Sequence, residues 1–397
     1  MRNFELALGT VALAALAAPC LARDGDARVV VGFKGGADAS VLTGNGGEVQ
    51  SVLESGRAVV VNIAPSRLAA LRANASVAYV EEDGIVEASD KNEDDAKSGT
   101  SKGSGEVGAT GRKPGTVTPP QPAQTMGWGV TKVWGTAAPA VTGLGVKVAI
   151  IDTGIDLTHP DLKANIAGNV TYVGGTSSGN DDNGHGSHVA GIVAAIDNTI
   201  GYVGVAPKAS LYAVKVLDSR GSGYLSAVAS GVDWARTRGM HIANMSLGGA
   251  SSSVTLENAC NNAQAAGVLL VVASGNSGDG NTATTETSYP AAYSSCVAVG
   301  ATAVNDSLAS FSSTGNFVEL SGPGVSVPST YKSGGYATLS GTSMASPHAA
   351  GLAALLWTPG TSTAATVRPV LDTKVRDLGP QGRDAGFGFG VVYYPGQ

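Results

Sequence analysis

The chain has 397 residues, with 25 Lys and Arg against 31 Asp and Glu, a formal charge of −6. That balance excludes a basic nucleic-acid-binding face, and 14% charged against 43% hydrophobic residues excludes a charge-rich disordered chain. The length suits two or three folded units of roughly 100–200 residues, and three Cys are too few for a disulfide scaffold.

The apolar run at residues 6–18 follows Arg2 and ends near Cys20-Leu21-Ala22. It is short for a membrane span, and its small residues suit signal peptidase, so residues 1–22 read as a secretory signal without stable membrane association. Cys20 leaves with it. Cys260 and Cys296 then remain as an even pair in an oxidising compartment, either disulfide-bonded or two buried thiols.

Residues 27–88 read as a small α/β unit: strands at 28–33 and 57–63, a helix at 66–73, and a strand at 77–80 running into Glu81-Glu82-Asp83. A unit of ~60 residues buries little surface and gains from a docking partner. Residues 89–122 contain no Leu, Ile, Met or aromatic side chain and are rich in Gly, Ser, Thr, Lys, Asp and Pro. Such a stretch is a disordered linker and a site of proteolysis. From Gln124 onward, apolar β-branched runs at 146–152, 211–216, 268–273 and 297–300 alternate with helical stretches at 188–195, 225–237 and 254–266. The alternation predicts a mostly parallel, doubly wound sheet that binds ligands beyond the carboxyl ends of its strands.

Three motifs carry chemistry. Asp152, in Ile151-Asp152-Thr153-Gly154-Ile155-Asp156, ends the first of those strands, where such a fold places its site. In Asn183-Gly184-His185-Gly186-Ser187-His188 the glycines allow close backbone approach and are expected to leave the His185 ring exposed. A zinc pair would need a Glu between the histidines and a third ligand, so no metal is expected there. In Ser340-Gly341-Thr342-Ser343-Met344-Ala345-Ser346-Pro347-His348 a turn opens into a helix, placing Ser343 where free N–H groups favour an oxyanion. Serine, histidine and aspartate together supply the nucleophile, base and orienting carboxylate of acyl transfer.

In the order Asp152, His185, Ser343 the three motifs resemble those of the subtilisin-like serine proteases, over residues 124–397. Residues 27–88 look like that family's inhibitory propeptide. The resemblance implies a doubly wound, mostly parallel α/β domain at 123–397, preceded by a small α+β, ferredoxin-like propeptide at 23–88 and a removed linker at 89–122. It implies a secreted, monomeric serine endopeptidase made as a self-processing zymogen, with the propeptide as intramolecular chaperone and inhibitor. Ser343 would be the nucleophile, His185 the general base and then acid, and Asp152 its orienting partner. Asn276, in Ser274-Gly275-Asn276-Ser277-Gly278, would bind the oxyanion beside the Ser343 N–H.

The same resemblance implies a peptide held between Gly221-Ser222-Gly223 and Ser246-Leu247-Gly248 by main-chain hydrogen bonds. The P1 pocket would be walled by Leu247-Gly248 and Ser274-Gly275, with Ser288 near its base. The absence of charge there implies large uncharged P1 residues, and Leu225 an apolar P4. Structural calcium would be held by the side chains of Gln124, Asp161 and Asn198 and the carbonyls of Ile196, Ile200 and Tyr202. Met344, beside the nucleophile, is an oxidation liability.

The linker departs from the family in its length. It implies a first self-cleavage shortly after residues 85–88 and trimming to near Ala123. Leu339 and Ser340 leave selectivity on the leaving-group side open, and one extra residue between Asn276 and Tyr289 loosens the placement of Ser288. A dedicated processing protease and a non-catalytic binding module are the alternatives. The complete set of Asp152, His185, Ser343 and Asn276 argues against the second.

Overall fold

A computed structural model describes residues 25–89, 121–135 and 137–395 of the chain. The signal expected at 1–22 and most of the linker, residues 90–120, lie outside the described residues.

The first unit runs β1 (Ala27–Phe33), α1 (Ala39–Gly44), β2 (Glu48–Val52), β3 (Ala58–Ile63), α2 (Leu68–Ala73) and β4 (Val77–Glu82). Its four strands form a sheet in the order β2-β3-β1-β4, antiparallel at every pairing. Val29, Val31, Val59, Val61 and Ile63 form its core with Leu42 and Leu71 from the two helices. The sheet's other face carries Val30 and Val60, which are buried in a core shared with the larger unit. That shared burial is the docking that so small a core needs. β2 and α1 were not evident in the sequence, because β2 alternates Glu48, Gln50 and Ser51 with only two Val.

A fifth strand, β5 (Ile85–Ala88), leaves this unit and joins the larger one. There the order is α3 (Trp128–Trp134), β6 (Lys147–Asp152), β7 (Ile166–Thr171), α4 (His185–Ala194), β8 (Ser210–Lys215), β9 (Ser222–Tyr224) and α5 (Leu225–Thr237). It continues with β10 (Ile242–Met245), β11 (Leu247–Gly248), α6 (Val254–Ala265), β12 (Leu269–Ala273), β13 (Cys296–Thr302) and β14 (Val318–Pro323). A hairpin, β15 (Val327–Tyr331) and β16 (Gly335–Leu339), then leads into the long helix α7 (Thr342–Leu356). α8 (Ala364–Leu371), β17 (Val375–Arg376) and β18 (Val391–Val392) close the fold.

Nine strands make one sheet in the order β17-β18-β14-β13-β12-β10-β6-β8-β7. Every pairing but that of β17 with β18 is parallel. Along β6, Val148 and Ile150 face the core shared with α4, α7 and α8, while Ala149 and Ile151 face that shared with α5 and α6. Both faces are covered, which is why the strand reads as an unbroken apolar run. Each such Val or Ile, fully buried, contributes roughly 1.5–3 kcal/mol. From β6 the chain steps outward to β7 and β8 on one side and to β10 on the other, so the strand order reverses between β6 and β10. Crevices of α/β sheets open at that point. Asp152 ends β6 there, and Ser246 follows β10.

Candidate active site

β6 delivers Asp152 to the crevice floor, fully buried. Its Oδ1 accepts the Thr153 N–H at 2.7 Å and pairs with His185 Nδ1 at 2.8 Å. The glycines around His185 do not leave the ring open, as the sequence suggested; it is 1% exposed. They serve close packing instead. Gly184 holds φ at 116°, and a Cβ there would meet the Tyr331 ring at 2.3 Å. A Cβ on Gly186 would lie 2.1 Å from the Gly154 carbonyl, so only glycine lets the first turn of α4 press against the turn after Asp152. That helix begins at His185 itself, three residues before the sequence pattern starts. His188 is spent on the hairpin: its Nε2 lies 3.0 Å from the Val327 carbonyl and 3.1 Å from that of Ala337, and burial lowers its pKa to about 3.

Ser343 is the second residue of α7. Pro347, four residues on, has no N–H for the Ser343 carbonyl, and Ser246 Oγ donates to that carbonyl instead at 2.8 Å. Ser343 Oγ in turn donates to the Ser246 carbonyl at 3.0 Å. Two opposed bonds thus tie the start of α7 to the end of β10. Asn276 is fixed by its oxygen, which accepts the N–H and the hydroxyl of Thr342, both at 2.9 Å. Its Nδ2 is buried without a partner. An orphaned donor next to the Ser343 turn is an unmet capacity to bind a negative oxygen.

The cleft is filled by the chain's own residues. β5 lies between β9 and β11 as the middle of three antiparallel strands, with Ile85 opposite Tyr224, Glu87 opposite Ser222 and Gly248, and Ala88 opposite Leu247. Ala88 N donates to the Gly221 carbonyl at 2.9 Å and Ser89 N to that of Ser246 at 3.1 Å. The Ser89 carbonyl receives the Ser343 N–H at 3.3 Å. Val86 packs into an apolar cluster with Leu217, Leu225, Val228 and Leu247. Beside Ser89 opens a pocket of about 250 Å³ lined by Gly248, Gly249, Gly275, Asn276, Thr287 and Ser288. Leu247 and Ser274, expected in its wall, are not among its lining residues. Side chains alternate along a strand, so Leu247 turns under Val86, and Ser274 Oγ bonds the Ser313 carbonyl at 3.2 Å.

Glu81 and Asp83, just before β5, cap two helices. Asp83 accepts the Ser226 N–H at 2.9 Å and the Ser226 hydroxyl at 2.7 Å at the start of α5, and pairs with Arg28 at 2.8 Å. Glu81 accepts the N–H groups of Val254 and Thr255, at 2.8 and 2.9 Å, at the start of α6. Each carboxylate meets free donors and the positive end of a helix. The sequence shows the acidic run Glu81-Glu82-Asp83 but not its partners.

Gln124, Asp161 and Asn198 are drawn together. Asn198 Nδ2 donates to Asp161 Oδ1 at 2.8 Å, its N–H donates to Gln124 Oε1 at 2.6 Å, and Tyr202 N donates to Asp161 Oδ2 at 3.0 Å. Isolated bridges of Ala123 with Ile200 and Thr125 with Tyr202 pin the segment carrying Gln124 to the loop containing Ile196. No basic side chain among the described residues pairs with Asp161, and burial raises its pKa to about 6. The described residues contain no group of three or more His, Cys, Asp or Glu able to hold a metal, so any cation here would rest on amide and carbonyl oxygens around one carboxylate. Such a set suits a hard cation. Tyr336, whose hydroxyl donates to Gln121 Oε1 at 2.9 Å, went unnoticed in the sequence.

Of the two alternatives for Cys260 and Cys296, the structure holds buried free thiols. They are hydrogen-bonded to each other, which together with burial raises the Cys260 pKa. Met344 is fully buried against the sheet.

Residues 143–390 match the family model described as Subtilase family. Over 236 residues, 59% of the chain, the sequence is 54% identical to M-protease of Shouchella clausii (strain KSM-K16), of which this covers 60%. It is likewise 54% identical over 236 residues to Subtilisin Savinase of Lederbergia lenta, covering 59% of the chain and 85% of that relative. With Subtilisin DY of Bacillus licheniformis the identity is 50% over 260 residues, 65% of the chain and 94% of that relative. The chain thus spans about three fifths of the length of M-protease.

Proposed function

The chain belongs to the subtilase family, and from that premise we propose that it is a secreted serine endopeptidase that cleaves peptide bonds through an acyl-enzyme at Ser343. The observation that carries the reading is the segment 85–89, held as a middle strand with its Ser89 carbonyl on the Ser343 N–H. A peptide lying so presents a carbonyl carbon to Ser343 Oγ. With His185 Nδ1 on Asp152, the other ring nitrogen, Nε2, is the basic position. In the structure the serine hydroxyl points to the Ser246 carbonyl, so attack begins with a turn about Cα–Cβ that hands its proton to Nε2. The oxyanion is received by the Ser343 N–H and Asn276 Nδ2. His185 then protonates the leaving amine and activates the water that releases the acyl group, while the Asp152 carboxylate balances the imidazolium.

Main-chain bonds to Gly221, Ser246 and the strands β9 and β11 supply affinity without regard to sequence, and the pockets supply selectivity. Apart from Glu87 of the bound segment itself, the pocket beside Ser89 is walled by small, uncharged residues, and it suits large uncharged P1 side chains. The cluster holding Val86 suits an apolar P4. Residues 23–89 act as the inhibitory propeptide, with the first self-cleavage after Ser89, one residue beyond the end of β5, and trimming of the linker to near Ala123 following. Calcium would be held by Gln124, Asp161 and Asn198 with the carbonyls of Ile196, Ile200 and Tyr202, and its charge would stabilise the attachment of the segment around Gln124.

The test is casein hydrolysis by the purified enzyme beside its Ser343→Ala variant, followed by a peptide series varied at P1. Turnover by the first alone is expected, with kcat/KM at least ~10-fold higher for Phe, Tyr, Leu or Met than for Lys or Glu. Equal hydrolysis by the variant would overturn the enzyme reading. A best substrate with Lys or Glu at P1 would overturn the pocket assignment.

A further inference from the structure

Asp181 has no part in the chemistry described above, yet it is only 5% exposed and accepts five hydrogen bonds. Its Oδ1 takes the Thr153 hydroxyl at 2.9 Å and the N–H groups of Asn183 at 3.0 Å and Gly184 at 2.8 Å. Its Oδ2 takes the N–H and hydroxyl of Ser187 at 2.9 and 2.6 Å. The segment from Asn183 to Ser187, with His185 at its middle, is therefore wrapped around one carboxylate. Thr153 follows Asp152 directly, and its Oγ1 also accepts the Gly186 N–H at 2.8 Å. The hydroxyl thus sits between Asp181 and the helix turn that carries the histidine. On its other side, the fully buried Lys215 donates to the Thr153 carbonyl at 2.7 Å, to the Leu217 carbonyl at 2.9 Å and to Asp182 at 2.7 Å.

A turn with three glycines or asparagines in five residues has no intrinsic reason to hold one conformation. Five donors converging on a desolvated carboxylate supply that reason, because each loses more when unmade than it would in water.

We propose that Asp181 is a positioning residue for the His185–Asp152 pair, setting the ring through Thr153 Oγ1 and the flanking N–H groups and placing a second negative charge near the imidazolium. The inference rests on His185 being the general base. Other charged or titratable groups around this turn are Asp152, Asp156, Lys215, Asp182, His188 and Lys332. They are the same in every variant below, so their contributions cancel in the comparison.

The experiment is the pH dependence of kcat/KM for one peptide substrate with the wild type, Asp181→Asn, Thr153→Val and Thr153→Ser, each matured in trans by wild-type enzyme. Asp181→Asn is expected to lower kcat/KM ~10–100-fold through kcat, KM staying within about twofold, since the loss is of orientation rather than of peptide contacts. Its acidic limb is expected to move down by about 0.3 pH unit or more, because a charge favouring the imidazolium is gone. Thr153→Val is expected to lose ~10-fold in kcat, and Thr153→Ser, which keeps the hydroxyl, to stay within about twofold. An unmoved acidic limb together with unchanged kcat in Asp181→Asn would overturn the proposal. Should that variant fail to fold, equal losses in Thr153→Ser and Thr153→Val would overturn it. An inactive wild type would instead sink the endopeptidase reading on which it depends.

Discussion

Asn276 illustrates how a residue's role is written in the bonds it lacks. Thr342 occupies its oxygen twice and leaves its buried Nδ2 with nothing to donate to. Substituting leucine keeps a similar volume but removes the donor, together with the oxygen that accepts from Thr342. Asn276→Leu is expected to lower kcat by on the order of 10²–10³ with KM nearly unchanged, a range taken over from subtilisin, the relative in which it is known. Steady-state kinetics on a single peptide checks this, and a loss confined to KM would assign Asn276 to substrate binding. Asp152, His185, Ser343 and Asn276 were legible in the sequence because each sits in a short motif whose glycines are needed locally. Ser89 was not. The sequence put the cut only shortly after residues 85–88, and the place of Ser89 opposite Ser343 is fixed by the pairing register of β5 with β9 and β11, which is a property of three separated segments.

Among elements, α8 carries a charge cluster that the sequence did not announce. Arg368 donates to Glu319 on β14 at 2.7 Å and to the carbonyls of Ser294 and Cys296, both at 2.9 Å. Asp372, at the end of the helix, has no such partner for its buried Oδ1. Burial first, and then the Glu319 carboxylate, raise its pKa from 3.8 to about 7. The folded protein keeps a proton there that the unfolded chain releases, so the stability linked to Asp372 is full below about pH 4 and is lost as the pH rises through about 7. In an inactive Ser343→Ala background, Asp372→Asn is expected to raise Tm at pH 8. Discounted for partial exposure, the gain is about 1 kcal/mol, or ~2–4 °C in a domain of this size. The gain should shrink towards pH 4. A gain of equal size at both pH values, or none, would contradict the assignment. The buried strands β6, β8, β12 and β13 were readable as apolar runs. β7, with Ala167, Gly168 and Asn169 at its centre, and the hairpin of β15 and β16 were not. The hairpin exists because His188, Ser187 and Asp156 hold it, through Val327 O, Thr330 Oγ1 and Gly334 N. Those contacts are long-range, and local pattern carries no trace of them.

At the scale of the whole molecule, the first unit packs against the larger one through a shared core. Val30, Val60 and Val86 share a core with α5 and α6, while Glu81 and Asp83 cap those same helices. Ser89 is a small residue beside its pocket, and the proposed self-cleavage needs no better one, because within one chain proximity offsets a poor side chain. N-terminal sequencing of the processing products should therefore show a fragment beginning at Asp90 before one beginning near Ala123; a single cut near residue 122 would contradict the two-step route. The calcium reading belongs at this scale too, since Gln124 lies well before Asp161 and Asn198 in the sequence and is joined to them only in the folded chain. Excess EDTA is expected to lower Tm and hasten autolysis in the wild type and to have little effect in Asp161→Ala, as differential scanning calorimetry would show. An identical EDTA response in both would reject the site. The composition of the linker suggests a two-unit division, whereas the capping contacts that join the units required the folded structure. The central claim is that Ser343, made nucleophilic by His185 and Asp152, carries the acyl group. Labelling of the mature enzyme with a fluorophosphonate, followed by peptide mapping, tests it most directly. One label per molecule on Ser343, with loss of activity in proportion and no labelling of His185→Ala, is the expected result; retained activity after full labelling, or a label on any other residue, would contradict it.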